Sequence, residues 1–147
     1  LYVGVGYRFD NRYQQADRYF NQRHRINFDI GFTRELKRFD FEYRVRFQAQ
    51  WENYFSDKID YPLLFIRNKL AIGYKWPQLP FTTSIGGELW LPLQANTELS
   101  KFRLTVAQEY KLNKKHRFQL RFVFQTDLNT GSPWRDYIIS TRYIFAF

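Results

Sequence analysis

The chain has 147 residues, 44% of them hydrophobic and 25% charged, which suits one compact domain. It excludes a disordered chain, and with no stretch near the roughly 18 apolar residues of a spanning helix it excludes a helical membrane protein. Aromatic residues make up 21% of the chain, as 16 Phe, 11 Tyr and 4 Trp, more than the core of an ordinary small domain uses. The absence of Cys and Met removes disulfides, thiolate chemistry and Cys-based metal sites and reads as a missing initiator and signal peptide, while a net charge of +9 suits nucleic acid, anionic lipid and acidic polysaccharide alike.

Apolar residues recur at alternate positions in one segment after another, which is the period of a strand. The first segment, 1–9, sets Val3, Val5, Tyr7 and Phe9 on one face and Arg8 on the other. The second, 24–34, alternates Ile26, Phe28, Ile30 and Phe32 with Arg25 and Asp29. In the third, 38–52, Phe39, Phe41, Tyr43, Val45, Phe47, Ala49 and Trp51 oppose Asp40, Glu42, Arg44 and Arg46. The fourth, 63–76, places Leu64, Ile66, Leu70, Ile72, Tyr74 and Trp76 against Arg67, Lys69 and Lys75. The fifth, 80–93, carries Phe81, Ile85, Leu89 and Leu91 against Glu88, and the sixth, 101–112, Phe102, Leu104, Val106 and Tyr110 against Arg103, Glu109 and Lys111. The seventh, 116–127, opposes Phe118, Leu120, Phe122 and Phe124 to Arg117 and Arg121. The last, 135–147, runs through Tyr137, Ile139, Tyr143, Phe145 and Phe147, with Asp136 and Arg142 on the other side. Asn68 and Gln108 are the polar exceptions on the uncharged face, and no segment reads as a helix.

Most of these segments exceed the ~5–6 residues of strands in soluble sheets and reach the ~9–11 that a tilted strand needs to cross a bilayer. Short connections at 35–37, 77–79 and 113–115 alternate with long ones at 10–23, 53–62, 94–100 and 128–134, as periplasmic turns and extracellular loops do in a spanning barrel. The expectation is therefore an all-β, antiparallel up-and-down transmembrane β-barrel, eight strands in one domain over 1–147, with both termini periplasmic. A soluble ligand-binding barrel has the same period with its apolar face inside. The aromatics would overfill the interior of eight strands, however, whereas outside they form girdles at the membrane surfaces.

The final Tyr143-Ile144-Phe145-Ala146-Phe147 resembles the C-terminal signal of Gram-negative outer-membrane barrels, which implies that Tyr143, Phe145 and Phe147 are read by the assembly machinery. Gly4-Val5-Gly6-Tyr7-Arg8, Arg23-His24-Arg25, Tyr43-Arg44-Val45-Arg46, Arg67-Asn68-Lys69-Leu70, Glu109 to His116 and Tyr143 together resemble an uncharacterised family of bacterial outer-membrane proteins, a domain of unknown function. The resemblance spans most of the chain. It implies outer-membrane localisation and further strands upstream, and it supplies no catalytic residues.

A barrel of eight strands has room only for side chains, so no open pore is expected. The inward charges should form a network of ion pairs, with Arg8, Asp29, Glu42, Arg44, Arg46, Arg67, Lys69, Glu88, Arg103, Glu109, Arg121 and Arg142 as members, since a buried charge needs a partner. Its basic excess leaves a slot for an anion as the sharper alternative. In the first long loop, Arg12, Arg18 and Arg23, among Tyr13, Tyr19 and Phe20, suit phosphorylated sugar headgroups of the outer leaflet. Inward glycines at 4, 6, 31, 73 and 86 make room for long side chains from facing strands. No nucleic-acid signature appears, and the two histidines fall at opposite ends of the strands, so no metal or cofactor site is expected.

The leading functional reading is a non-enzymatic structural or accessory barrel that docks on other outer-membrane proteins or displays its loops to surface ligands, with Asn68 and Gln108 as candidate contacts. One alternative is a lipid hydrolase or acyltransferase of the outer leaflet using His24 with Asp17, Ser56, Asp57, Ser100 or Ser132. The other is a larger transport barrel completed by additional strands.

Overall fold

A computed structural model describes residues 1–14, 19–52, 61–94 and 98–146, with the backbone alone for 12–14, 19–21 and 52. Eight strands follow one another: β1 Tyr2–Gln14, β2 Tyr19–Leu36, β3 Phe39–Glu52, β4 Leu63–Lys75, β5 Phe81–Pro92, β6 Lys101–Lys111, β7 His116–Asp127 and β8 Arg135–Phe145. Each pairs antiparallel with the next in a single up-and-down sheet, β1-β2-β3-β4-β5-β6-β7-β8. The sheet curls as half of a barrel, and among the described residues no ladder joins β1 to β8.

The strand bounds lie within about two residues of the sequence reading, except in the first hairpin. There β1 and β2 stay in register out to Gln14↔Tyr19, well past the Arg23↔Glu52 pair where β3 ends. Most of the segment 10–23, expected as a loop, is thus a two-stranded ribbon that outruns the sheet. Its mixed polar sequence carries no strong alternation, while its backbone ladder continues regardless. The β2–β3 turn is also tighter than expected, two residues with Lys37 at φ 55°.

The two faces are sorted as the alternation requires. Val5, Tyr7, Leu70, Leu120 and Ile139 are among the large apolar residues exposed on the convex face, whereas Gln48, Gln50, Arg67, Glu88 and Trp90 are buried on the concave one. A soluble barrel would bury the apolar set; here the central members of the charged set, Arg67 and Glu88, are the buried ones. At the end of the sheet that carries the short turns, the register aligns Phe81↔Tyr110, Tyr110↔Phe118 and Phe118↔Tyr143 in one outward aromatic row across four strands. Tyr74 extends it, stacked edge-on against Trp76 at 5.2 Å and tilted against Phe39 at 5.1 Å. Farther from the turns the same face becomes mainly aliphatic, as in the row Ile72↔Ile85↔Val106.

β4 and β5 approach closely at Gly86. A Cβ at Gly86 would stand 2.9 Å from Ala71 Cβ and 3.1 Å from the Leu70 carbonyl oxygen, so only glycine lets the two strands approach here. At Gly31 the missing side chain is replaced by the ring of Tyr2, its registered partner on β1, which lies over the glycine. Gly86→Val is expected to destabilise the folded protein by about 1–3 kcal/mol through overpacking. Gly131→Ala, where nothing lies within 4 Å, should change stability by less than about 0.5 kcal/mol. Urea unfolding in lipid vesicles, followed by tryptophan fluorescence, compares the two.

Candidate functional site

Pairing brings the inward charges of β3 to β6 into two adjacent cross-strand rows. One is Arg44↔Lys69↔Glu88↔Arg103, and the next is Arg46↔Arg67↔Trp90. Glu88 stands at their centre. Its Oε1 accepts from Arg44 Nη2 at 2.9 Å and its Oε2 from Arg67 Nη2 at 2.6 Å, and Arg103 Nη1 lies 3.6 Å from Oε2. Arg67 also donates from Nη1 to Gln48 Oε1 at 2.8 Å, and Arg103 donates to Gln125 Oε1. Arg67 and Glu88 are each 5% exposed, so the pair is desolvated and held by geometry that uses both carboxylate oxygens.

Trp90 forms the floor of this cluster. The Arg67 guanidinium carbon lies 3.9 Å from the centre of its ring and that of Arg103 5.2 Å, a double cation–π arrangement that keeps both planar groups over one surface. Alternation places Trp90 inward, between outward Leu89 and Leu91, yet nothing in the period marks it as the anchor of the charged face. Beside the cluster, Asp29 accepts from Arg46 Nε and Nη2, both at 2.6 Å, and Glu42 accepts from Lys69 Nζ at 2.7 Å.

The expected network is therefore present for most of its members, in separate groups. Arg8 pairs with Asp10 at 2.9 Å, which Arg25 approaches to 3.6 Å, and Glu109 meets Arg117 at 3.4 Å. Arg121 reaches only the Ser140 hydroxyl, at 3.4 Å, and neither it nor Arg142 forms an ion pair with a described residue. Both border a hollow of about 290 Å³ floored by Ala71, Gly73, Ser84, Gly86, Thr105 and Ala107. Asp40, which shares Lys75 with Glu35 at 3.1 and 2.7 Å, and Asp127, paired with Lys101 at 3.0 Å, join the ion pairs without having been singled out as members. Face assignment reveals which charges turn inward; partner identity needs the register.

The remaining candidates fall elsewhere. His24 lies on the convex face, its Nδ1 2.7 Å from the Tyr7 hydroxyl and its ring 5.0 Å from that of Phe9. Of its suggested partners, Asp17, Ser56 and Asp57 lie outside the described residues, and the Ser100 hydroxyl donates to the Trp90 carbonyl. Arg23 is described at the loop end of β2, whereas Arg18 and the side chain of Arg12 lie outside the described residues. Tyr143 and Phe145 stand outward at the turn end of β8, around His116, and Phe147 lies outside the described residues. The carboxamide oxygens of Asn68 and Gln108 both accept hydrogen bonds within the sheet. Tyr43 donates to Asn68 Oδ1 at 3.1 Å, and Thr83 donates to Gln108 Oε1 at 2.8 Å while accepting from Trp76 Nε1 at 3.0 Å.

Comparisons with protein-family models, curated proteins and solved structures find no match to this chain. The functional reading rests on its own geometry.

Glu88→Ala is expected to cost about 3–5 kcal/mol, because it leaves clustered guanidinium groups without their carboxylate. Glu109→Ala removes a longer pair whose arginine side chain is 38% exposed and should cost less than about 1 kcal/mol. Denaturant midpoints of the two variants in the same vesicles measure the contrast, and equal losses would contradict it.

Proposed function

We infer that the chain forms part of the wall of a transmembrane β-barrel in a Gram-negative outer membrane, wider than eight strands, whose charged interior passes or holds polar solutes without catalysing a reaction. The observation that carries this reading is the pair of free edges. β1 and β8 each bond one neighbour among the described residues, and unpaired backbone N–H and C=O groups facing hydrocarbon cost several kcal/mol each. Eight strands that curl through only half a barrel need further strands to pair both edges. The resulting circumference encloses more than side chains.

Support for a lipid environment comes from the exposed apolar convex face and the registered aromatic row at its turn end, the places where hydrocarbon and membrane surface would meet such a wall. The accessory-subunit reading rests on the absence of a catalytic set and of room for a pore, with Asn68 and Gln108 as candidate contacts. A half-barrel curl makes room for a pore, and the carboxamide oxygens of Asn68 and Gln108 accept hydrogen bonds from Tyr43 and Thr83 within the sheet.

Full-length protein isolated from its native membrane and inserted into planar bilayers is expected to conduct ions in discrete steps. Silent bilayers, with insertion verified by protection from protease, would contradict the wide lumen. Recovery of the protein from the soluble fraction of cells would contradict the membrane reading itself.

A further inference from the structure

We propose that the arginine cluster around Glu88 and Trp90 is a binding site for an oxyanion, a phosphate, sulfate or carboxylate group carried by a solute in the lumen. The proposal rests on the barrel reading above, since only there does the concave face line a lumen.

Charge is the first ground. Arg44, Arg67 and Arg103 converge on the single carboxylate of Glu88, and neighbouring Asp29 is occupied by the bidentate fork of Arg46. Four guanidinium groups thus face two carboxylates, an uncompensated charge of +2. It lies on a surface where Arg67, Glu88 and Trp90 are already 5–7% exposed in an open sheet. Arg67 and Glu88 offset each other, and the excess falls on Arg44 and Arg103, whose side chains are 17% and 29% exposed toward the concave side, where a counter-charge can reach them.

Unused donors are the second ground, and they are independent of the charge count. Arg44 Nε, Arg67 Nε and Trp90 Nε1 are buried without a hydrogen-bond partner. All three are N–H groups that can only donate, so each needs an acceptor; the carboxamide oxygen of Asn27, registered opposite Gln48, is an unpartnered acceptor on the same face. An oxyanion supplies both the negative charge and several lone pairs, and the planar guanidinium forks match its geometry better than that of a spherical halide. Stacking of Arg67 and Arg103 on Trp90 holds two of the forks in place before the anion arrives, which lowers the ordering cost of binding.

The experiment uses full-length protein in mild detergent, with thermal unfolding measured in inorganic phosphate, in sulfate and in chloride at equal ionic strength. Phosphate and sulfate should raise the unfolding temperature of the wild type where chloride does not. Arg44→Gln should lose that increment. Glu88→Gln, which removes the carboxylate that competes for the arginines, should gain more from phosphate than the wild type, with binding tighter by about tenfold for one unit of charge at short range. If Glu88→Gln folds poorly in chloride, its folded yield in phosphate becomes the readout, and rescue supports the site. Equal effects of all three anions, or an increment retained in Arg44→Gln, would overturn the proposal. So would a wild type indifferent to phosphate and sulfate, the result expected if a carboxylate from a closing strand already fills the cluster. Bilayer conductance of the same preparation separates the two readings. A conducting protein blind to oxyanions loses the site and keeps the barrel; a silent one with the full phosphate response keeps the site and loses the pore.

Discussion

A backbone N–H or C=O in a β-strand finds its partner on the neighbouring strand, and in hydrocarbon it has no water to fall back on. Seven antiparallel ladders meet that requirement from β1 to β8 without interruption. Among the described residues the two outermost edges do not meet it, and the proposed wall follows from that difference. The same requirement ties the strands into fixed register, and register decides which side chains turn to the convex face and which charges meet one another across the concave one.

Once the charges are confined to one side, their packing becomes the second problem the wall has to solve. Glu88 and Arg67 are desolvated, and the carboxylate is shared among three arginines because β3, β4, β5 and β6 deliver them in adjacent rows. Trp90 provides an aromatic surface where another strand position would have supplied a charge. The cluster is positively biased and holds three buried N–H groups without partners. Toward the turns the concave face is floored by the small residues Ala71, Gly73, Ser84 and Gly86.

Alternation made most of this architecture legible. Eight strands, the short turns, the face of each residue and the inward sense of Arg44, Arg67, Glu88 and Arg103 follow from a period of two, because one buried face leaves no freedom to slip by a residue. The period is silent about distance along the strand. It could not say that Glu88 rather than Glu42 would collect three arginines, since that depends on the relative stagger of β3, β4, β5 and β6. It placed Asn68 and Gln108 on the apolar face without revealing that Tyr43 and Thr83 donate to their carboxamide oxygens. It also stopped the first hairpin too early, because the mixed polar residues of 10–23 carry no period although their backbones pair. Closure was the last unreadable feature, as strand number and stagger together set the circumference.

The central claim is that the uncharged face meets lipid and the charged face meets water. A chain without cysteine allows that claim to be tested by single-cysteine scanning along β7 in the full-length protein, embedded in vesicles and exposed to a membrane-impermeant thiol reagent. The account predicts a period of two, with positions 119 and 121 modified and positions 118, 120 and 122 protected until detergent is added. Protection of 119 and 121 with modification of 118, 120 and 122, or equal reactivity on both faces, would contradict it.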